Sequence, residues 1–154
     1  NPKDGFDFGT GDFTIETWVY TTSRADYNVL FDSRHAAVGG VNLVFGLTST
    51  NGYPYYYTGT EYNAGSGSAV ALNTWTHVAL CRSGTTMRIF KDGTEVLSRT
   101  DSSTLDGSSS TGVYIGSAVT GIGETFGYLS DFRITKGLAR YTSNFTAPTA
   151  ALKG

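Results

Sequence analysis

The chain has 154 residues, of which 39% are hydrophobic, 14% aromatic and 16% charged, and its formal net charge is −2. That length suits one domain, able to bury about two-thirds of its unfolded surface in a single core. The scattered Lys and Arg give no basis for broad attraction to nucleic acid or an anionic membrane, and no apolar run approaches the roughly 18 residues of a membrane helix.

The charged fraction is low against the roughly 25% of an average globular protein. Thr, Ser, Gly and Tyr make up the difference, supplying strands, turns and hydrogen-bonding surface. One cysteine, Cys81, allows no intrachain disulfide, and its place in Val78-Ala79-Leu80-Cys81 reads as a small buried hydrophobe. The opening Asn1-Pro2-Lys3-Asp4-Gly5 shows no signal-peptide pattern and reads as cut from something longer.

Alternation of period two, broken by turn signals every eight to twelve residues, predicts an all-β sandwich or barrel. The first strand covers 13–20, with Phe13, Ile15, Thr17 and Val19 on one face and Glu16, Trp18 and Tyr20 on the other. Strands over 27–32 and 41–47 follow, separated by a Gly39-Gly40 turn, and Asn51-Gly52 opens a short aromatic strand over 53–58. After the connection Gly65-Ser66-Gly67-Ser68, strands are predicted over 75–82, 87–91 and 95–99. The last two join through Asp92-Gly93, a pair that tolerates the positive φ of tight hairpin turns. A loop over 101–112 leads to strands near 113–115 and 127–135, with at most a short turn around 136–141. Trp18, Val19, Phe31, Leu43, Phe45, Val78, Leu80, Ile89, Ile115 and Ile134 are the expected core.

Four strings carry a resemblance to a known family. They are Gly11-Asp12-Phe13-Thr14-Ile15-Glu16-Thr17-Trp18-Val19-Tyr20, Trp75-Thr76-His77-Val78-Ala79, the hairpin over 87–96, and Gly127-Tyr128-Leu129-Ser130-Asp131-Phe132-Arg133-Ile134. In this order the chain resembles the laminin G-type jelly rolls of the concanavalin A-like superfamily. The resemblance implies a two-sheet antiparallel β-sandwich forming a single domain over 1–154. The ending Thr135-Lys136-Gly137-Leu138-Ala139-Arg140-Tyr141, continuing to Thr149 in a tail at about 136–154, resembles that of such domains in tailed-bacteriophage structural proteins. Such domains usually begin with an extra strand, of which only Asp4-Gly5-Phe6 remains here; it lies upstream or a neighbouring chain supplies it.

No catalytic residues are expected. Glycoside hydrolysis needs two carboxylates flanking the scissile bond, and Glu16, Glu61, Glu95 and Glu124 each stand apart from another carboxylate at such spacing. His35 and His77 are the two histidines, and neither lies near a Gly-x-Ser-x-Gly elbow. A structural His77, hydrogen-bonded inside the sandwich, is expected, and His35 belongs to a loop as a rim contact or a solvated side chain.

The carbohydrate-binding candidates are Tyr53, Tyr55, Tyr56, Tyr57, Tyr62 and Asn63, with Asn51 nearby. Sugars stack on aromatic faces, and phenols add a donor and an acceptor at the edge. Alternation sends Tyr53, Tyr55 and Tyr57 to one face and Tyr56 to the other; the competing reading packs one tyrosine face in the core and uses the other to shield an edge. The resemblance also implies a calcium site at Asp131, to which Asp12 and Gly11, or Asp4 and Gly5, would supply oxygens, against a pairing of Asp131 with Arg133 or a turn cap.

These readings lead to a non-catalytic recognition module of a phage tail or virion protein, binding host-surface polysaccharide and located on the virion or extracellularly. Other virion chains, or copies of this one in a homo-oligomer, are the expected protein partners, without nucleic acid or membrane insertion. A purely structural or protein–protein module is the alternative, and a β-glucan hydrolase relative the outside one.

Overall fold

Alternation of apolar and polar side chains builds ten strands in the structure, a computed structural model that describes residues 6–34, 43–59, 62–105, 112–119, 121 and 123–152. In chain order they are β1 (Phe13–Thr21), β2 (Asn28–Asp32), β3 (Val44–Leu47), β4 (Pro54–Tyr57), β5 (Tyr62–Ala64), β6 (Trp75–Ser83), β7 (Thr86–Lys91), β8 (Thr94–Thr100), β9 (Tyr114–Ile115) and β10 (Gly127–Lys136). They pair antiparallel into two sheets, ordered β10-β1-β6-β7-β8 and β5-β4-β3-β2-β9. The expected all-β, two-sheet sandwich is thus the observed fold. The expected Gly39-Gly40 turn, His35, Glu61, the Asp4-Gly5 remnant and residues 106–111 of the long loop lie outside the described residues.

One face of each long strand fills the space between the sheets. Phe13, Ile15 and Val19 of β1 meet Leu30, Phe31, Phe45, Leu47 and Tyr56 of the second sheet, together with Val78, Leu80, Met87 and Ile89. Full burial of such a side chain contributes about 1.5–3 kcal/mol. Phe8 joins them by stacking on Phe13 at 4.5 Å between centroids. Two expected core members are misplaced. Trp18 lies on the outer face with Glu16 and Tyr20, since a neighbour of the inward Val19 must point the other way. Ile115 sits on the edge strand β9 and is 52% exposed.

Arg82 is buried at the end of β6, and backbone oxygens replace its water. Its guanidinium donates to the carbonyls of Gly84 at 3.0 Å, Gly9 at 3.2 Å, Ser103 at 2.7 Å and Asp101 at 3.4 Å. These bonds tie the segment before β1 and the segment after β8 to the same strand.

The outer face of the first sheet is covered by the irregular tail after β10. Asp92 and Gly93 both have positive φ, 50° and 80°, as a type I′ hairpin turn requires. A side chain at Gly93 would collide with the Phe145 carbonyl, and Phe145 N–H donates to the Gly93 carbonyl at 2.9 Å, so the turn is also the tail's dock. Tyr141 and Phe145 stack at 3.6 Å and cover Ala79, Cys81 and Phe90. Burial pushes the Cys81 thiol up to about 11, so it stays protonated and unreactive at neutral pH.

Beneath the tail lies Glu16, fully buried. Its Oε1 accepts from Arg133 Nη2 at 2.6 Å and Nε at 2.9 Å; its Oε2 accepts from the Tyr141 hydroxyl at 2.9 Å and lies 3.1 Å from His77 Nε2. A carboxylate oxygen at that distance requires the proton on Nε2. His77 is therefore buried and structural, but under the tail rather than between the sheets. Burial opposes ionisation of Glu16, yet the bonds from His77, Arg133 and Tyr141 outweigh it and hold its pKa below the ordinary value of 4.5. Unfolded chains therefore bind more protons at this site in acid, so its contribution is present above the unfolded pKa and disappears as pH falls through the folded one. Melting followed from about pH 7 to about pH 3 should show a steep acid loss that is shallower in Glu16→Gln, each relative to its own neutral melting temperature. Equal acid losses in the two proteins would contradict this account.

Candidate functional site

Strand β4 is four residues long and three of them are tyrosines, so alternation separates their roles. Tyr56 points between the sheets and is fully buried in the core. It is withdrawn as a carbohydrate contact, because its ring is committed to packing. Tyr55 and Tyr57 point to the outer face of the second sheet. There Tyr55 packs with Val29, Val44 and Ala118 in a small apolar cluster. Gly46, paired with Tyr55 in register, makes this possible: a Cβ there would lie 3.0 Å from the Tyr55 ring and 2.8 Å from the Asn28 carbonyl.

Two further rings complete the wall. Tyr62 of β5 stacks on Tyr55 with centroids 5.1 Å apart and planes 30° apart. Tyr27, just before β2, meets Tyr55 nearly edge-on at 5.5 Å and is hydrogen-bonded to Tyr62. With Tyr57, Asp26 and Arg34 they line a cavity of about 340 Å³. Among the described residues its floor is apolar and its rim carries hydroxyls, one guanidinium and one carboxylate.

The rim is held in place by a buried carboxylate. Asp32, at the end of β2, accepts from Arg34 Nε at 3.0 Å and Nη2 at 2.7 Å, and from the backbone N–H groups of Arg34 and Val119 at 2.8 and 3.0 Å. The Asp32 side chain has no exposure whereas Arg34 keeps 31%. The hydrogen bond to Asp32 raises the Arg34 pKa further, so the guanidinium is a fixed positive donor in the wall. Burial raises the Tyr55 phenol, and burial with the neighbouring Tyr27 raises Tyr62 to about 12. At neutral pH both therefore offer an O–H donor and oxygen lone pairs. Tyr57 directs its hydroxyl to the Gly59 carbonyl at 2.7 Å, which fixes its ring at the rim.

The other expected site residues fall elsewhere. Tyr53 belongs to the turn before β4, where its N–H donates to Thr48 Oγ1 at 2.9 Å, and it does not line the cavity. Asn63 pairs with Tyr56 in register and so faces away from the cavity, and Asn51 lies exposed in the turn. The calcium candidates do not converge. Asp12 precedes β1 and accepts from Gly84 N–H at 2.7 Å, next to Gly11. Asp131 lies at the bulge opposite the middle of β1, between the partners of Glu16 and Trp18, about 15–20 Å away at the ordinary rise per residue. Its carboxylate accepts from Ser130 Oγ at 3.3 Å. Among the described residues no three His, Cys, Asp or Glu side chains gather where they could hold a metal ion. The oxygen-rich cage that calcium requires is not formed by Gly11, Asp12 and Asp131.

Tyr27, Arg34 and Asp26 were not anticipated. They come from the β2 region, and only the pairing of β2 with β3 and β3 with β4 brings them to the tyrosines. The available signal was local: a strand-ending Asp32 two residues before Arg34, close enough for a side-chain pair at a sheet end.

Comparison with solved structures finds the same sandwich in proteins of low identity. A Bacteroides ovatus protein described as a candidate carbohydrate-binding protein is 20% identical, with a TM-score of 0.70 over 86% of this chain and 39% of its own. Domain 4 of an extracellular GH43 arabinanase from Geobacillus stearothermophilus, solved with arabinotriose, is 14% identical, with a TM-score of 0.64 over 85% of this chain and 63% of its own. A leech intramolecular trans-sialidase is 18% identical, with a TM-score of 0.65 over 87% of this chain and 22% of its own. The chain thus spans less than two-thirds of each, and at such identities the likeness is one of fold. No curated protein matches. The family model described as the concanavalin A-like lectin/glucanases superfamily matches residues 2–139, and the chain belongs to that superfamily.

Proposed function

We propose that this domain is a non-catalytic carbohydrate-recognition module that binds saccharide in the tyrosine-lined cavity. The observation that carries the reading is the set of four rings, from Tyr27, Tyr55, Tyr57 and Tyr62, around one cavity whose rim holds the anchored Arg34. A sugar presents C–H groups to ring faces and hydroxyls to phenols and guanidinium, and this lining offers both kinds of partner. Fold relatives described by carbohydrate binding, or solved with arabinotriose, support the same class of ligand.

Hydrolysis is not supported by the lining. Asp26 is the one carboxylate among the described lining residues, whereas glycosidases flank the bond with two. Asp32 is fully buried and committed to Arg34 and two backbone N–H groups. The tail's resemblance to endings of phage structural domains supports a place on a tail fibre or other virion protein, facing host-surface polysaccharide. Repeated copies there would add avidity to a weak single site.

Screening the purified domain on an array of bacterial-surface, plant and animal glycans should yield a saccharide hit. Tyr57→Ala or Tyr62→Ala should weaken that hit by about tenfold, for a contact of roughly 1.4 kcal/mol, with the melting temperature nearly unchanged. Asp32→Ala should lower both stability, by about 1–3 kcal/mol, and binding, because it frees Arg34 and strands two N–H donors. Glycan binding that survives every one of these substitutions in folded protein would refute the site.

A further inference from the structure

We propose that the outer face of the opposite sheet carries a second saccharide site, which rests on the reading of the domain as a glycan binder. The register sets Tyr128 of β10, Tyr20 of β1 and Trp75 of β6 in one row across three strands. Their ring centroids follow at 5.9 and 5.6 Å. This row spans two interstrand spacings, roughly 10 Å, and its rings are tilted 55° and 52° to one another, so the exposed Trp75 and Tyr128 offer contacts to about two sugar residues on either side of the half-buried Tyr20. Tyr128 is 65% exposed and Trp75 is 44% exposed, so neither ring is spent on the core.

Next to the row, Trp18 and Trp75 form one wall of a cleft of about 540 Å³, with Ser130, Asp131, Pro148 and Thr149 around it. The tail that seals Phe90 and Cys81 thus forms an edge of this cleft instead of filling it. Asp131 reaches the cleft through a bulge: the pairing steps from Glu16–Arg133 to Trp18–Ser130, and Asp131 takes a φ of 51°. Bulges re-aim side chains in this way. Aromatic faces beside a carboxylate and two hydroxyls, with no cation among the described lining residues, suit a neutral, hydroxyl-rich ligand and disfavour an anionic one. That chemistry is a neutral polysaccharide chain. Since the two sites lie on the outer faces of sheets packed back to back, one domain would hold two chains.

The two tryptophans of the chain, Trp18 and Trp75, both line this cleft and neither lines the tyrosine cavity, so tryptophan emission reports this site alone. The folded domain is titrated with soluble arabinan, mixed-linkage β-glucan and galactomannan, following emission and calorimetric heat together. A saturable emission change with at least one polymer is expected. It should persist in Tyr57→Ala and weaken by about tenfold in Tyr128→Ala and Trp75→Ala. The heavily exposed Tyr128 keeps the test valid should Trp75→Ala fold poorly. Heat of binding with unchanged emission, insensitive to both of these substitutions, overturns the second site and leaves the tyrosine cavity standing. Absence of binding by both measures overturns the second site, and the tyrosine cavity is then judged by the glycan array alone.

Discussion

The architecture of the first sheet depends on one buried carboxylate. Glu16 stands in the middle of β1, and its donors come from β6, from β10 and from the tail. An ion of this kind survives burial only when its oxygens are fully bonded, and removing one partner of a buried pair typically costs about 3–5 kcal/mol. The arrangement therefore couples elements that are far apart in sequence: the strand order β10-β1-β6 and the path of the tail are satisfied together or not at all. Gly93 and the Tyr141–Phe145 stack extend the same closure to the β7–β8 turn.

That closure divides the outer face. Where the tail lies, Ala79, Cys81 and Phe90 are sealed from water; beyond it, Trp75 and Tyr128 remain open, with the half-buried Tyr20 between them. The second sheet uses the same device at its rim, with Asp32 fully buried and Arg34 held between it and the cavity. In both places a buried acid fixes a cation or an aromatic ring in a defined position. Groups fixed before a ligand arrives lose less freedom on binding, which favours recognition by a small site.

Much of this was legible in the residues. Period-two alternation locates nine of the ten strands, and within β4 it separates the inward Tyr56 from the outward Tyr55 and Tyr57. The same rule, applied strictly, would have kept Trp18 out of the core, since Val19 already claimed the inner face. Strand β5 escaped because three residues next to a Gly/Ser-rich connection carry too little pattern to register. Tyr27 and Arg34 escaped for a different reason: their place beside β4 is a property of strand pairing, not of local sequence. The grouping of Asp131 with Gly11 and Asp12 failed on length alone, because about half of β1 separates them; the other pair, Asp4 and Gly5, lies outside the described residues. The burial of His77 was foreseen but not its location, since the tail that covers it has no periodic signal.

The central claim is that saccharide enters the tyrosine cavity. Heteronuclear NMR of the labelled domain, titrated with the oligosaccharide selected on the glycan array, tests it most directly. The account predicts the largest shift changes at Tyr27, Arg34, Tyr55, Tyr57 and Tyr62, the residues lining that cavity. Binding that leaves all five resonances unmoved would contradict it.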